Sequence, residues 1–116
     1  MGAAQINTPT PAAAACNLTL GYNATESGTV SVASGNLAVT QEVEVGAFGK
    51  GKLTITNGGT VSAGLLTIAA LNGNPSSSGT VSVDGSTLTI NTRADVGGDN
   101  GTLGGVGLLS ITNGAV

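Results

Sequence analysis

The sequence predicts an all-β fold, a right-handed parallel β-solenoid (β-helix) of about four coils with three short strands in each coil. Three observations predict this fold class. They are a long internal repeat, short segments in which apolar and polar residues alternate, and a composition with almost no aromatic side chains.

Two short repeats establish the long period. The segment GTVSV at residues 28–32 recurs letter for letter at residues 79–83, which is 51 residues later. The segment ITNG at residues 55–58 recurs at residues 111–114, which is 56 residues later. These shifts predict a unit of about 50 residues that tolerates small insertions, such as residues 71–78, at its corners.

Within each long unit, short segments alternate apolar and polar residues, which is the signature of half-buried strands. Their inward positions form three series, in which successive members lie 23 to 28 residues apart. The first series contains Leu18/Leu20, Val43/Val45, Leu66/Ile68 and Ala94/Val96; the second Val30/Val32, Leu53/Ile55, Val81/Val83 and Leu109/Ile111; the third Leu37/Val39, Val61/Ala63, Leu88/Ile90 and Val116. The spacing predicts one coil per step, with like residues stacked on like.

The composition fits a narrow, repetitive interior. Of the 116 residues, 40% are apolar but only 2% are aromatic, and Tyr22 and Phe48 are the only rings. A compact core of this length normally relies on several aromatic side chains, because each buries far more area than an aliphatic one. Stacked aliphatic residues must therefore fill the interior, and the apolar fraction argues against a disordered chain.

The charges argue against a nucleic-acid-binding protein. The net charge is −3, and the only cations are Lys50, Lys52 and Arg93, too few to neutralise a phosphate backbone. No apolar run reaches the ~18 residues of a membrane-spanning helix, so no transmembrane segment is expected. Cys16 is the single cysteine, which excludes an internal disulfide.

The sequence indicates two parts, an N-terminal arm or cap over residues 1–16 and a β-solenoid repeat domain over residues 17–116. Pro9 and Pro11 favour an extended arm, and one Ala-rich helical turn over residues 11–16 is the only helix considered. An antiparallel β-sandwich is the competing fold, since it also combines short strands with Gly-rich turns. The solenoid is favoured because a sandwich does not require similar residues at a constant long spacing.

The segments GTVSV (residues 28–32), KLTITNGGTVSAG (residues 52–64) and VEVG (residues 43–46) resemble the repeats of bacterial autotransporter passengers. They are also similar to the related autotransporter/PEP-CTERM-associated β-helix repeat, and the resemblance covers residues 17–116. It implies an exported, surface-exposed β-helix with an adhesive or architectural role and brings no catalytic residues. Passengers usually run to hundreds of residues, so a fragment and a small protein that assembles through the same coil are both open.

Candidate catalytic residues are sparse, and we expect neither enzymatic activity nor a cofactor. The chain has no His, the usual general base and the commonest metal ligand. Arg93 and Asp95 share an outward strand face and are interpreted as a surface ion pair. The GGDNG run at residues 97–101 lacks the spacing and repetition of calcium-binding β-rolls, so no metal site is predicted.

Rows of outward Thr and Ser raise ice binding as one alternative function. A lattice match needs two regular rows, and Lys52 and Leu108 interrupt one of them. Because Thr and Ser are good β-formers that tolerate water, the rows have an ordinary structural explanation. On the second series the rows are Ser31, Thr54, Ser82, Ser110 and Thr29, Lys52, Thr80, Leu108; on the first series the row is Thr19, Glu44, Thr67, Asp95.

The ends of a solenoid expose backbone N–H and C=O groups that recruit further strands unless they are capped. By analogy with residues 57–63, the last coil is expected to continue beyond Val116, so another chain supplies its third strand or the chain is a fragment cut in mid-coil. The sharpest hypothesis is head-to-tail stacking into a filament. Leu109, Ile111 and Val116 would then meet the first coil of the next subunit, with the arm around Ile6 as a donor strand.

The expected function is that of an extracellular structural protein, secreted or at the cell surface, whose partner is a second copy of itself. Cell-surface or matrix components are further candidate partners. An adhesin-type passenger fragment is the first alternative, and an ice-binding protein is the second.

Overall fold

A computed structural model describes residues 2–6, 13–69, 76–99, 102–103 and 105–116, with side chains for residues 16–69, 76–98 and 105–116. Within these residues every regular element is a β-strand, which confirms the all-β prediction. The helical turn considered over residues 11–16 is wrong for residues 13–16. Those residues lie in a strand, because Ala13–Ala15 pair in parallel with Leu37–Val39.

The strands follow one another with short connections. Nine of them belong to two parallel sheets, and two strands of two residues each form a separate antiparallel pair. In chain order they are β1 Gly2–Ile6, β2 Ala13–Leu20, β3 Ser27–Ala33, β4 Asn36–Val45, β5 Lys50–Thr56, β6 Thr60–Ile68, β7 Ser78–Asp84, β8 Thr87–Val96, β9 Gly98–Asp99, β10 Thr102–Leu103 and β11 Val106–Thr112.

The chain winds as a parallel β-solenoid, as predicted. Sheet A has the order β1-β3-β5-β7-β11 and sheet B the order β2-β4-β6-β8, and every pairing in both sheets is parallel. Successive strands alternate between the sheets, so each turn of the chain adds one strand to each. Three full coils, β3–β4, β5–β6 and β7–β8, lie between β1–β2 at one end and β11 at the other.

The predicted columns of like residues are confirmed by the strand register. In sheet A, Leu53 pairs with Val30 on one side and with Val81 on the other, and Val81 pairs with Leu109. In sheet B, each inward pair of the first and third series lies opposite its predicted equivalents in the neighbouring coils. Since side chains alternate between the faces of a strand, this register brings all the aliphatic columns inside together.

The first and third series share one continuous strand in each coil instead of occupying two. In β4, Leu37 and Val39 precede Val43 and Val45 without a break in the strand. A register shift in each sheet B pairing separates the two halves, between Val39 and Glu42 in β4. Such bulges bend a strand while the flanking residues stay paired, so this corner needs no turn sequence.

The interior is a single aliphatic cluster that runs along the solenoid. The residues of the middle coils in the inward columns are almost completely enclosed, because a coil lies on each side of them. The largest fully buried side chains include Leu53, Ile55, Leu66, Ile68, Val43, Val45, Val81 and Val83. The polar residues buried with them are few: Thr67, Ser77 and Ser86.

A column of glycines crosses sheet A at the first or second residue of each strand. Gly2, Gly28, Gly51, Gly79 and Gly107 pair in succession. A Cβ atom on Gly107 would lie 2.6 Å from the carbonyl oxygen of Ile68 and 2.9 Å from the backbone nitrogen of Gly97. Only glycine therefore lets this strand pass the backbone of the preceding corner.

The repeated ITNG segment forms the same turn in both copies. Asn57 and Asn113 have φ values of 52° and 53°, and the glycines after them have φ values of 75° and 71°. In each turn, the N–H of the third residue after Thr56 or Thr112 donates to the carbonyl of that threonine. Asn-Gly favours two consecutive left-handed residues, so this corner follows from local sequence.

Candidate functional site: the exposed end coil

At one pole of the solenoid, sheet A ends with β11 and sheet B ends with β8. Among the described strands, β11 pairs with β7 alone and β8 with β6 alone, so these strands form one edge of their sheets. Val116 hydrogen-bonds to Ser86 and Leu88 at the start of β8, and the rest of that edge is open. The strands β1 and β2 form the opposite edges. An edge strand carries a row of backbone N–H and C=O groups that can pair with a further strand.

The side chains of the end coil show what lies uncovered. Val96 is 45% exposed, whereas Ile68, one coil below it in the same inward column, is fully buried. Ile111 is 53% exposed, and Val83 below it is likewise fully buried. Equivalent residues thus differ in exposure only because the end coil has a neighbour on one side. The result is an apolar end face.

Of the four residues predicted to mediate assembly, Leu109 and Ile111 lie in this end face. Leu109 pairs with Val81, is half-buried and packs against the core cluster. Ile6 lies in β1 at the other pole, where it pairs with Val32 of its own chain. The strand around Ile6 is therefore seated in its own solenoid, and stacking requires no donated arm.

Val116 also lies at the end face, but one position away from the predicted column. Its N–H donates to the carbonyl of Ser86, and its carbonyl accepts from the N–H of Leu88. This parallel pattern places Val116 opposite Thr87, an outward position, instead of opposite Leu88. The reason is the loop after β11, which is one residue longer than the loop after β7. Val116 is accordingly exposed.

A groove follows the bulges of sheet B on the side of the solenoid. Its volume is about 480 Å³, and its lining includes Asn17, Glu42, Leu65 and Arg93, which form one outward ladder across the four strands of sheet B. Glu42 accepts a hydrogen bond from the Thr67 hydroxyl at 2.5 Å. Most of the lining residues have polar side chains, but the surface that they present to the groove is mainly apolar.

The charges beside the groove are paired or partly shielded. Arg93 Nε and Asp95 Oδ2 form the predicted ion pair at 2.7 Å. Burial, together with the neighbouring Glu42 carboxylate, raises the pKa of Glu44 above its ordinary value. Among the residues that the structure describes, no group of three His, Cys, Asp or Glu side chains is placed to hold a metal ion.

The only two aromatic rings meet at a corner, a contact that the sequence analysis missed. Tyr22 and Phe48 stack edge-to-face with ring centroids 6.0 Å apart, and both are exposed. They lie in equivalent corners of neighbouring coils, after Gly21 and Gly46. Their spacing of 26 residues is about one coil, which is the signal that would have found the contact.

The outward rows considered for ice binding are confirmed in register. Ser31, Thr54, Ser82 and Ser110 form one ladder, and the adjacent ladder contains Lys52 and Leu108, as the sequence predicts. Leu108 is 54% exposed. A cation and a branched apolar side chain therefore interrupt the second row.

Fold and register together define a class, a parallel β-solenoid repeat protein. Comparison of the chain with known protein families, with curated proteins and with solved structures finds no match. In the part of the chain that is described, no helix has the length and apolar character needed to cross a bilayer.

Proposed function

We propose that this chain is a structural subunit without enzymatic activity that stacks end to end through the pole formed by β8 and β11. A single observation supports this proposal. Val96 and Ile111 are about half exposed, while the residues below them in the same columns are fully buried. A further strand stacked on β11 would enclose Ile111, at about 1.5–3 kcal/mol for a fully buried aliphatic residue.

A second copy of the chain is the partner that fits this pole best. It presents β1 and β2, two parallel edge strands that lead the same two sheets. Stacking β1 on β11 continues sheet A with unchanged strand direction. Because the two contacting surfaces differ, the contact does not close on itself and produces a filament.

The proposed location is outside the cell or at its surface. The resemblance of residues 17–116 to autotransporter passenger and PEP-CTERM-associated repeats supports it. Cell-surface or matrix components are then the further partners of the lateral faces.

The test measures association by sedimentation velocity over a wide concentration range, with electron microscopy of the same samples. We expect filaments from the wild-type protein and monomers from Ile111→Lys, because a charge in the stacked joint would be buried without a partner. The matched control is Leu108→Lys, on the same strand with nearly the same exposure but pointing outward. Its ladder already contains Lys52, so we expect this variant to assemble.

A wild-type protein that stays monomeric and appears as dispersed particles would refute stacking and favour the recognition-module alternative. Equal effects of the two lysine substitutions would also contradict the proposed joint, because only Ile111 belongs to an inward column, whereas Leu108 belongs to an outward ladder.

A further inference from the structure

We infer that the groove along the bulges of sheet B binds a neutral oligosaccharide, which lies in it parallel to the solenoid axis. The groove is on the side of the solenoid and not at a pole. The inference therefore goes beyond the proposed stacking and does not depend on it.

The bulges give the groove its shape. A bulge bends each strand of sheet B between two paired halves, so the halves meet at an angle and form the two walls. All four strands of the sheet contribute lining residues. Because neighbouring strands lie about 4.8 Å apart, the groove extends for about 14 Å across them. Its volume of about 480 Å³ lies within the range of small-ligand sites, about 300–1,000 Å³. A short chain of linked rings fits this elongated shape.

Gly64 keeps the lining of the groove open. A Cβ atom at this position would lie 2.7 Å from the carbonyl oxygen of Gln41 and 3.1 Å from that of Thr40. The bulge of β4 therefore requires a residue without a side chain here, and Gly64 itself lines the groove. The next residue, Leu65, adds a half-buried apolar side chain to the lining. Such a surface suits the C–H faces of sugar rings.

The charges of the groove favour a neutral ligand. Glu42 and Arg93 both line it, in the same ladder on either side of Leu65. The Glu42 carboxylate accepts a hydrogen bond from Thr67, and the Arg93 guanidinium forms the ion pair with Asp95. A polyanion that follows the groove would meet the carboxylate, and a polycation would meet the guanidinium. Neither sign of charge is therefore favoured along the whole groove.

The other polar lining residues favour a ligand that is rich in hydroxyl groups. Asn17, Thr40, Gln41 and Thr92 are exposed, and each carries an amide or hydroxyl group that both donates and accepts. The side-chain oxygen of Asn17 accepts from the backbone N–H of Glu42 at 3.2 Å, which fixes the orientation of this amide. Sugar hydroxyls also donate and accept, so they match these groups. A lipid chain would cover them without a hydrogen-bond partner.

A peptide fits the groove less well than an oligosaccharide. Extended peptides commonly bind by adding a strand to the edge of a sheet. The groove crosses β4 and β6, whose backbones already pair with a neighbour on both sides. Among the described lining residues there is also no aromatic ring on which a proline-rich segment could pack. For the same reason we expect weak sugar binding, with millimolar dissociation constants.

The test follows the amide signals of the isotope-labelled wild-type protein by NMR, at concentrations where it is monomeric. The neutral probes are cellohexaose and maltohexaose, with glucose as the single-ring probe. Hexagalacturonate, hexaglucosamine and a capped hexapeptide of Gly, Ser and Thr represent the anionic, cationic and peptide classes. We expect at least one neutral hexasaccharide to shift residues 40–42, 64–65 and 92–93, and glucose to bind about tenfold more weakly or less. The affinity should not change with salt, because a neutral ligand is not screened.

A pair of variants on one strand locates the binding. Thr92→Ala removes a lining hydroxyl, and we expect about a fivefold loss of affinity, the equivalent of one hydrogen bond. The matched control is Thr89→Ala, because Thr89 is also an exposed threonine of β8 but does not line the groove. We expect the control to bind as wild type does. Leu65→Asn retains the approximate shape of the side chain, and a loss of affinity in this variant tests the apolar part of the lining. The amide spectrum of each free variant shows whether it is folded.

Several outcomes would overturn the inference. Shifts caused only by a charged hexasaccharide or only by the peptide would assign the groove to that class of ligand instead. Equal effects of Thr92→Ala and Thr89→Ala, or shifts centred on the exposed Tyr22–Phe48 corner, would place the binding outside the groove. The absence of any shift with both neutral hexasaccharides at millimolar concentration would also refute it. None of these results would affect the stacking proposal, which is tested by sedimentation.

Discussion

Ile111 pairs with Val83 in the parallel register of β11 and β7, yet Val83 is fully buried and Ile111 is half exposed. The two residues belong to the same inward column, so the coil that lies on Val83 accounts for the difference. In such a stack, the stability of a coil depends on its nearest neighbours. The effect of a substitution should therefore depend on its level in the column.

This dependence is tested with Ile55→Ala and Ile111→Ala, in the middle and at the end of one column. Ile55 is enclosed on both sides, so we expect a loss of about 2–5 kcal/mol in the free energy of unfolding. For Ile111 we expect about 1 kcal/mol, because about half of the side chain already contacts solvent. Urea unfolding at concentrations where the protein is monomeric provides the measurement. Equal losses would contradict a columnar core.

The fold was predictable because its determinants are periodic in sequence. Val30, Leu53, Val81 and Leu109 were placed in one column from spacing alone, and the strand register confirms it. A solenoid repeats one local environment in every coil, so residues far apart in sequence carry the same pattern. The corner at Asn57–Gly58 was likewise encoded by local turn preferences.

The details that sequence analysis missed depend on loop length and backbone proximity. Val116 was assigned one position wrongly, because the loop before it has one residue more than its equivalent at Asp84–Thr87. The sequence analysis assigned the two halves of β4 to different strands, because the bulge at Thr40–Gln41 that joins them has no distinctive composition. The glycine column was missed because its cause, the backbone of the preceding corner, belongs to another part of the chain.

The glycine column leads to a second prediction. Gly51→Ala would place a Cβ 2.9 Å from the carbonyl carbon of Val45 and closer still to the nitrogen of Gly46. Since backbone cannot give way cheaply, we expect a loss of about 3 kcal/mol or more in the free energy of unfolding.

The matched control is Gly58→Ala. Gly58 has a φ of 75° but nothing within 4 Å of its Cβ position, so only backbone strain remains, about 1–2 kcal/mol. Thermal or urea unfolding distinguishes the two variants. A Gly51→Ala protein as stable as Gly58→Ala would show that the corner does not approach the strand as described.

The pKa of Glu44 predicts a pH dependence of stability. Burial, and secondly the Glu42 carboxylate, raise this pKa above its ordinary value of 4.5. The folded chain then holds the proton more tightly than the unfolded chain, so this carboxyl lowers stability as the pH rises from 4.5 through the raised value. We expect Glu44→Gln to unfold at higher urea concentration than wild type near neutral pH, and the advantage to vanish well below pH 4.5.

Glu26→Gln is the control, because its expected effect on stability has the opposite sign. Hydrogen bonding with Asn23 lowers the pKa of Glu26, so its carboxylate stabilises the fold above the ordinary pKa, and that contribution is lost as the pH falls through the lowered value. We expect this variant to be slightly less stable than wild type at neutral pH. A stability of Glu44→Gln that shows no pH dependence relative to wild type would contradict the partly buried environment of Glu44.

The rate of amide hydrogen exchange should rise from the middle coils to the end coil, as the exposure of the inward side chains does. Amides of β5, Lys50–Thr56, pair with strands on both sides, whereas those of β11, Val106–Thr112, have a neighbour on one side only. We expect faster exchange in β11 than in β5 for the monomer, because opening the end coil breaks one interface while opening a middle coil breaks two. Mass spectrometry of exchanged peptides measures both strands in one sample. Raising the concentration until filaments form should then slow exchange in β11 and leave β5 unchanged, since stacking covers only the ends of the solenoid. Exchange in β11 that is as slow as in β5 in the monomer would show that the end coil is stabilised by contacts other than those of its strand register.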